Sequence, residues 1–240
     1  MAIAYDNSAV SDASDGSGCC GNYSFSYTCS GSNRLLVVIA TGDNSQQTTA
    51  ITYAGVSMTS LTEYTANNTG GANSQVVEVW YLVNPASGSN TLSVSRNGYG
   101  RLAVASYTGV DQVNPIDSWA TTSSSGNPQS VSTTVVKDNC WLVGFGVAPA
   151  SGSYTARISS GGTTRVATAT LKPSSIWQSV CIGDSNGTVA SGSRSMSFDN
   201  SSGGNYYSNG GTLMSISPYI PTIPNKVVMR SFATQRASRY

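Results

Sequence analysis

The chain has 240 residues, 39% hydrophobic and only 10% charged, with twelve Lys and Arg against eleven Asp and Glu and no histidine. A net charge of +1 offers no global attraction for nucleic acid or an anionic membrane. The lack of histidine removes the usual general base of Ser and Cys hydrolases and the commonest metal ligand.

From the N-terminus, residues 1–6 carry neither the basic nor the apolar region of a secretion signal. The longest apolar run, residues 35–40, is far short of the roughly 18 residues of a membrane span. Cys19, Cys20 and Cys29 lie among Gly, Ser and Tyr, where exposure and disulfide formation within or between subunits are expected. Cys140 and Cys181 sit in apolar runs and read as packed thiols; none of the five forms a C-x-x-C pair.

Residues 33–41 are a continuous apolar run ending at Gly42-Asp43-Asn44, the pattern of a central strand buried on both faces. Residues 50–53 and 56–61 flank Ala54-Gly55 as a hairpin. In 75–83, Val77, Val79 and Tyr81 alternate with Val76, Glu78, Trp80 and Leu82, and Asn84-Pro85 stops the strand. Leu92 and Val94 point one way in the next strand, and 101–107 follows it. The Ser-rich 121–129 reads as a loop before a strand-like run at 130–136. In 140–147, Trp141, Val143, Phe145 and Val147 share one face, and Cys140, Leu142, Gly144 and Gly146 the other. Further strands are expected at 154–158, 163–171, 176–182, 193–198 and 212–217.

Helical periodicity is nearly absent, so the expected fold class is all-β: a single antiparallel β-sandwich, jelly-roll-like, with an extended C-terminal arm. Residues 1–32 read as an N-terminal segment with the Cys cluster, forming an edge strand; 33–217 as the sandwich; 218–240 as the arm. Pro218, Pro221 and Pro224 recur every third residue and favour an extended, polyproline-like path. Beyond them Lys226, Arg230, Arg236 and Arg239 stand without any acid among Val227, Val228, Met229, Phe232 and Tyr240. Such a segment suits nucleic acid, an acidic surface or a neighbouring subunit, and its apolar side chains favour ordering on a partner protein over a solvated tail.

A glycan-cleaving pair of carboxylates could be drawn from Glu63, Glu78 and nine aspartates, most of which sit beside Gly, Asn or Ser in turns. Asp111, Asn114 and Asp117 bring three oxygen-bearing side chains together. This could suit Ca2+, although Asn114-Pro115 is also an ordinary turn starter, and no other cofactor is indicated. Tyr64, Tyr99, Trp119, Tyr206 and Tyr207 fall in loop-like settings, where aromatics serve either sugar stacking or interface packing.

The stretches Asn33-Arg34-Leu35-Leu36-Val37-Val38, Ile51-Thr52-Tyr53-Ala54-Gly55-Val56, Trp80-Tyr81-Leu82-Val83-Asn84-Pro85 and residues 107–116 occur in that order. Together they resemble a poorly characterised β-sandwich family found in phage virion proteins and bacterial surface proteins. The resemblance implies a jelly-roll-like building or adhesive module and carries over no catalytic position. With the arm and the missing signal, it implies a non-enzymatic phage virion structural protein, a capsid decoration or tail-associated component assembled in the host cytoplasm. Its partners would be other virion proteins or copies of itself. A carbohydrate-binding or host-adhesion module at a cell surface is the alternative, and a glycan-cleaving enzyme a second one.

Overall fold

Residues 35–42 are buried without a break, because both faces of their strand meet other sheets. The computed structural model describes residues 1–12, 22–43, 47–66, 75–98, 100–124, 128–148, 155–171, 177–200 and 209–221, and no helix occurs among them. The first part of the chain supplies β1 (Ala4–Asp12), β2 (Tyr23–Cys29), β3 (Leu35–Asp43), β4 (Thr48–Tyr53), β5 (Val56–Ser57), β6 (Thr59–Ala66), β7 (Gln75–Val83), β8 (Gly88–Arg96) and β9 (Gly100–Thr108). The second supplies β10 (Ile116–Ser124), β11 (Gln129–Val135), β12 (Trp141–Val147), β13 (Ala156–Ser160), β14 (Thr163–Leu171), β15 (Trp177–Asp184), β16 (Gly192–Asn200) and β17 (Asn209–Ile216).

The two parts repeat one topology. The first forms a five-stranded sheet β1-β9-β3-β7-β6 and a four-stranded sheet β2-β8-β4-β5; the second forms β10-β17-β12-β15-β14 and β11-β16-β13. The orders coincide except that β5 has no counterpart in the second unit, and in each the sequence of pairings is that of a jelly roll, all antiparallel. The expected sandwich is therefore present twice. Residues 1–32 give two edge strands, β1 and β2, both belonging to the first unit, and the 121–129 stretch read as a loop is strand as far as Ser124.

Local details repeat as well. Asn33 and Asn139 (φ 52° and 63°) lead into β3 and β12, while Asn84 and Asn186 (φ 51° each) follow β7 and β15, left-handed conformations that Asn tolerates better than most residues. Leu92, Val94 and Arg96 are buried along β8 as Met196, Phe198 and Asn200 are along β16. Register shifts fall at Asp6 in β1 and at Asp117 in β10.

Four sheets stack with three apolar layers between them. The middle layer joins the two five-stranded sheets: Leu35, Val37, Ile39, Val79, Ala105 and Tyr107 meet Trp141, Val143, Phe145, Ile182, Met214 and Ile216. Leu36, Val38, Leu92, Val94 and Tyr53 fill the first unit; Leu142, Cys181, Met196, Phe198 and Leu213 fill the second. The units contact each other reciprocally. β1 lies against β14, where Ser8 Oγ donates to the Arg165 carbonyl (3.5 Å), and β10 lies against β6, where Ser123 Oγ donates to the Thr65 carbonyl (3.2 Å).

Cores of the same topology are filled differently. Phe198 rests on Gly144, Gly146 and Gly211, where added Cβ atoms would come within 3.0, 2.7 and 2.6 Å of its ring. At the matching positions of the first unit, Val94 faces Val38 and Ala40, so a smaller knob meets a fuller floor. Gly146→Ala should cost about 1–3 kcal/mol through overpacking. Adding Phe198→Val, which restores the first unit's Ala40 and Val94 pairing, should make the double variant more stable than the sum of the two single losses. Urea unfolding of the four proteins checks this; strict additivity would refute the knob-and-floor relation.

Candidate functional site

Polar side chains enter the interior at strand irregularities and strand ends. At the two bulges the carboxylates perform the same task. Asp6 accepts from Ser30 N (2.9 Å), from the Ser30 hydroxyl and from Ser106 Oγ (2.7 Å), pinning the β2–β3 turn. Asp117 Oδ2 accepts from Val136 N (2.7 Å) and Lys137 N (3.4 Å), pinning the β11–β12 turn. A bulge re-aims one side chain out of the strand's alternation, which is what lets each Asp reach across.

A third bulge, between Thr164 and Val166 in β14, places Arg165 at the seam between units. Its guanidinium grips Asp184 with two bonds of 2.8 Å, donates to Asn186 Oδ1 (2.7 Å) and lies 4.6 Å from the Tyr5 ring centre of the other unit. Tyr5 packs edge-on against Tyr107, and Tyr107 against Trp141. Asp184 is fully buried, so this paired geometry compensates a charge that would be costly alone. The hydrogen bond to Asp184 raises the Arg165 pKa, and burial lifts the Tyr107 phenol well above its ordinary range.

The third polar group closes one end of the first unit's interior. Glu78 lies on the inner face of β7, both carboxylate oxygens 3.1 Å from Thr48 N, and Arg96 Nη2 on β8 donates to the Thr41 carbonyl at 2.5 Å. Arg96 Nε and Nη1 are buried beside the Tyr23 phenol. Gly100 makes room for this guanidinium, since a Cβ there would fall 2.1 Å from it. Burial pushes the Glu78 carboxyl up and the Arg96 guanidinium down, and it lifts the neighbouring Tyr23 phenol to about 12. Sequence alternation carries a trace of this group, because Glu78 and Arg96 occupy inward positions among Val76, Trp80, Leu92 and Val94. In the second unit the residue matching Arg96 is the neutral Asn200.

The described residues among those expected from sequence to act are spread over several elements. Tyr64 is not on a loop: it lies within β6, half-buried against the middle layer, with its hydroxyl enclosed and its pKa raised by burial. Trp119 lies on edge strand β10 rather than a loop and is 44% exposed. Cys29, a candidate from sequence for exposure and a disulfide, is a free, buried thiol on the inner face of β2. Asp111 Oδ1 accepts from Val113 N and Asn114 N and so closes its own turn, while Asp117 Oδ2 holds the β11–β12 turn. Cys19, Cys20, Tyr99, Tyr206, Tyr207 and the arm from Lys226 to Tyr240 lie outside the described residues.

No family model matches the chain, and no curated protein or solved structure matches it either. The likeness to the phage and bacterial-surface sandwich family rests on the sequence motifs alone.

Because the folded-state pKa of Glu78 is raised, the native protein holds this proton more tightly than the unfolded chain. Wild-type stability therefore carries a penalty that grows as pH rises past the ordinary value of 4.5. Glu78→Gln should gain stability relative to wild type between pH 4 and pH 8 in urea titrations. A relative loss over that range would show that attraction to Arg96 outweighs burial.

Proposed function

We propose that this chain is a non-enzymatic structural protein of a phage virion, a capsid decoration or tail-associated component that acts by packing on neighbouring subunits. One observation carries the reading: every acid whose side chain is described is engaged in the chain's own architecture. Asp6, Asp111, Asp117 and Asp138 hold turn or loop backbone, Asp184 and Asp199 pair with Arg165 and Arg157, Glu78 takes Thr48 N, and Glu63 takes Gln47. Cations are used the same way, with Arg34 donating to the Gly31 and Pro85 carbonyls and Arg194 to those of Ala190 and Ser191. Polar chemistry spent on holding loops and seams suits a rigid building block. The doubled jelly roll suits one too, because each unit braces the other's larger sheet.

A second reading, glycan binding at a cell surface, draws on Trp119, whose exposed indole stands on an edge strand among Ser and Thr. Mass spectrometry of purified virions from the source, with copy number measured against the major shell protein, separates the two. Many copies per particle are expected for a decoration protein and few for a tail component. Absence from particles would overturn the virion reading and favour the glycan one.

A further inference from the structure

The two seams between the units are built on matching rows of strand partners. In the first unit the row runs Ser8, Ala105, Val37, Tyr81 and Thr59; in the second it runs Trp119, Met214, Val143, Asp184 and Thr163. The edge-strand bulges match too, with Leu61 in β6 standing where Arg165 stands in β14. At the seam of β1 with β14 these positions close on one another. The Tyr5 and Ser8 hydroxyls share a hydrogen bond of 2.7 Å, and the Arg165 guanidinium joins Asp184 to the Tyr5 ring.

At the seam of β10 with β6 all four positions are apolar: Trp119 matches Ser8, Ile116 matches Tyr5, Leu61 matches Arg165 and Tyr81 matches Asp184. Strand pairing fixes the faces. Met214, the partner of Trp119, and Val37, the partner of Tyr81, both lie in the middle layer, so the indole and the phenol are on the facing sides of the two sheets. β17 ends beside the start of β10 and, through the Val110–Pro218 bridge, beside the end of β9. β10 therefore runs opposite to β9, as β6 does through three antiparallel pairings. Ser123 and Thr65, which touch across the seam (3.2 Å), follow Trp119 and Leu61 by four residues each, and this sets Trp119 opposite Leu61. Asp184 is fully buried, whereas Leu61, Tyr81 and Ile116 are half-buried and Trp119 is exposed. The second seam leaves apolar surface in solvent where the first is closed.

Its surroundings select the occupant. Thr59, Thr62, Thr121 and Ser123 bring hydroxyls to the same sides of these strands. The charged side chains of β6, β7 and β10 are taken up elsewhere, Glu63 by Gln47, Glu78 by Thr48 N and Asp117 by Val136 N. Four apolar side chains fall far short of the roughly 800 Å² per partner that a stable protein interface buries, which argues against a second copy. Aromatic faces within an uncharged, hydroxyl-bearing rim suit the apolar face and the hydroxyls of a sugar ring. We infer that the seam of β10 with β6 binds a neutral glycan, with a sugar ring laid on the Trp119 indole and flanked by Leu61 and Tyr81. The inference rests on the glycan reading of Trp119, to which it adds the site and the class of sugar, and it is independent of whether the chain is carried on a virion.

An array of neutral hexose and N-acetylhexosamine oligosaccharides, printed beside sialylated and sulfated ones and probed with the full chain, tests this. Wild type should bind neutral oligosaccharides. Isothermal titration with the strongest of them should show Trp119→Ser, which copies Ser8, binding at least roughly tenfold more weakly, while Trp119→Phe keeps most of the affinity. Leu61→Arg with Tyr81→Asp, which copies the pair at the first seam, should also abolish binding. Thermal melts confirm folding, and the exposed Trp119 variants carry the test if the double variant does not fold. Unchanged affinity in Trp119→Ser would overturn the site and leave glycan binding standing. No binding anywhere on the array would remove the glycan reading and the site together, and binding confined to acidic oligosaccharides would overturn the neutral class. Self-association that Trp119→Ser removes, without sugar binding, would assign the seam to a second copy instead.

Discussion

Burial of the two five-stranded sheets on both faces is the constraint from which the architecture follows. A jelly roll needs only one apolar face per sheet, yet β3, β9 and β12 are apolar on both. Alone, either unit would present Leu35, Val37 and Ile39, or Val143, Phe145 and Met214, to water at about 25 cal/mol for each Å² exposed. Stacking the sheets removes both surfaces at once and makes the middle layer common to the two units. The outer sheets, facing solvent on one side, can then carry the Ser, Thr and Asn that fill so much of the sequence.

This constraint explains where polar groups are admitted. A charge at the seam must be paired, and the bulge in β14 supplies the pairing by turning Arg165 onto Asp184 and the Tyr5 ring. The reciprocal serine contacts of β1 with β14 and β10 with β6 fasten opposite margins of the stack. Repetition also allows divergence: the first unit fills its interior with Val94 over Val38 and Ala40, the second with Phe198 over glycine, and only the first closes its end with Glu78 and Arg96.

Much of the strand content was legible because alternation is local. The two faces of 140–147 are those expected, and the 33–41 run is buried on both sides from Leu35 onward, as its continuous apolarity implied. Strand β10 was hidden, and one edge strand was expected in residues 1–32 where β1 and β2 both form, because edge strands such as Asn7-Ser8 and Ser118-Trp119 carry little apolar signal, and Asn114-Pro115 reads as a turn. The duplication left a direct trace in Ala86-Ser87-Gly88-Ser89 and Ala190-Ser191-Gly192-Ser193, which open matching strands. Elsewhere the units share shape with little identity, since a jelly roll asks for alternation and turn geometry more than for particular side chains. The polar groups were least legible: Asp6, Asp117 and Arg165 act through bulges, and a bulge depends on pairing with a distant strand.

Differential scanning calorimetry of the purified chain tests the shared middle layer most directly. If the two units depend on one another's sheets, unfolding should be a single transition whose calorimetric and van't Hoff enthalpies agree. Two resolved transitions, or a calorimetric enthalpy near twice the van't Hoff value, would show that each unit is stable alone and would contradict the account.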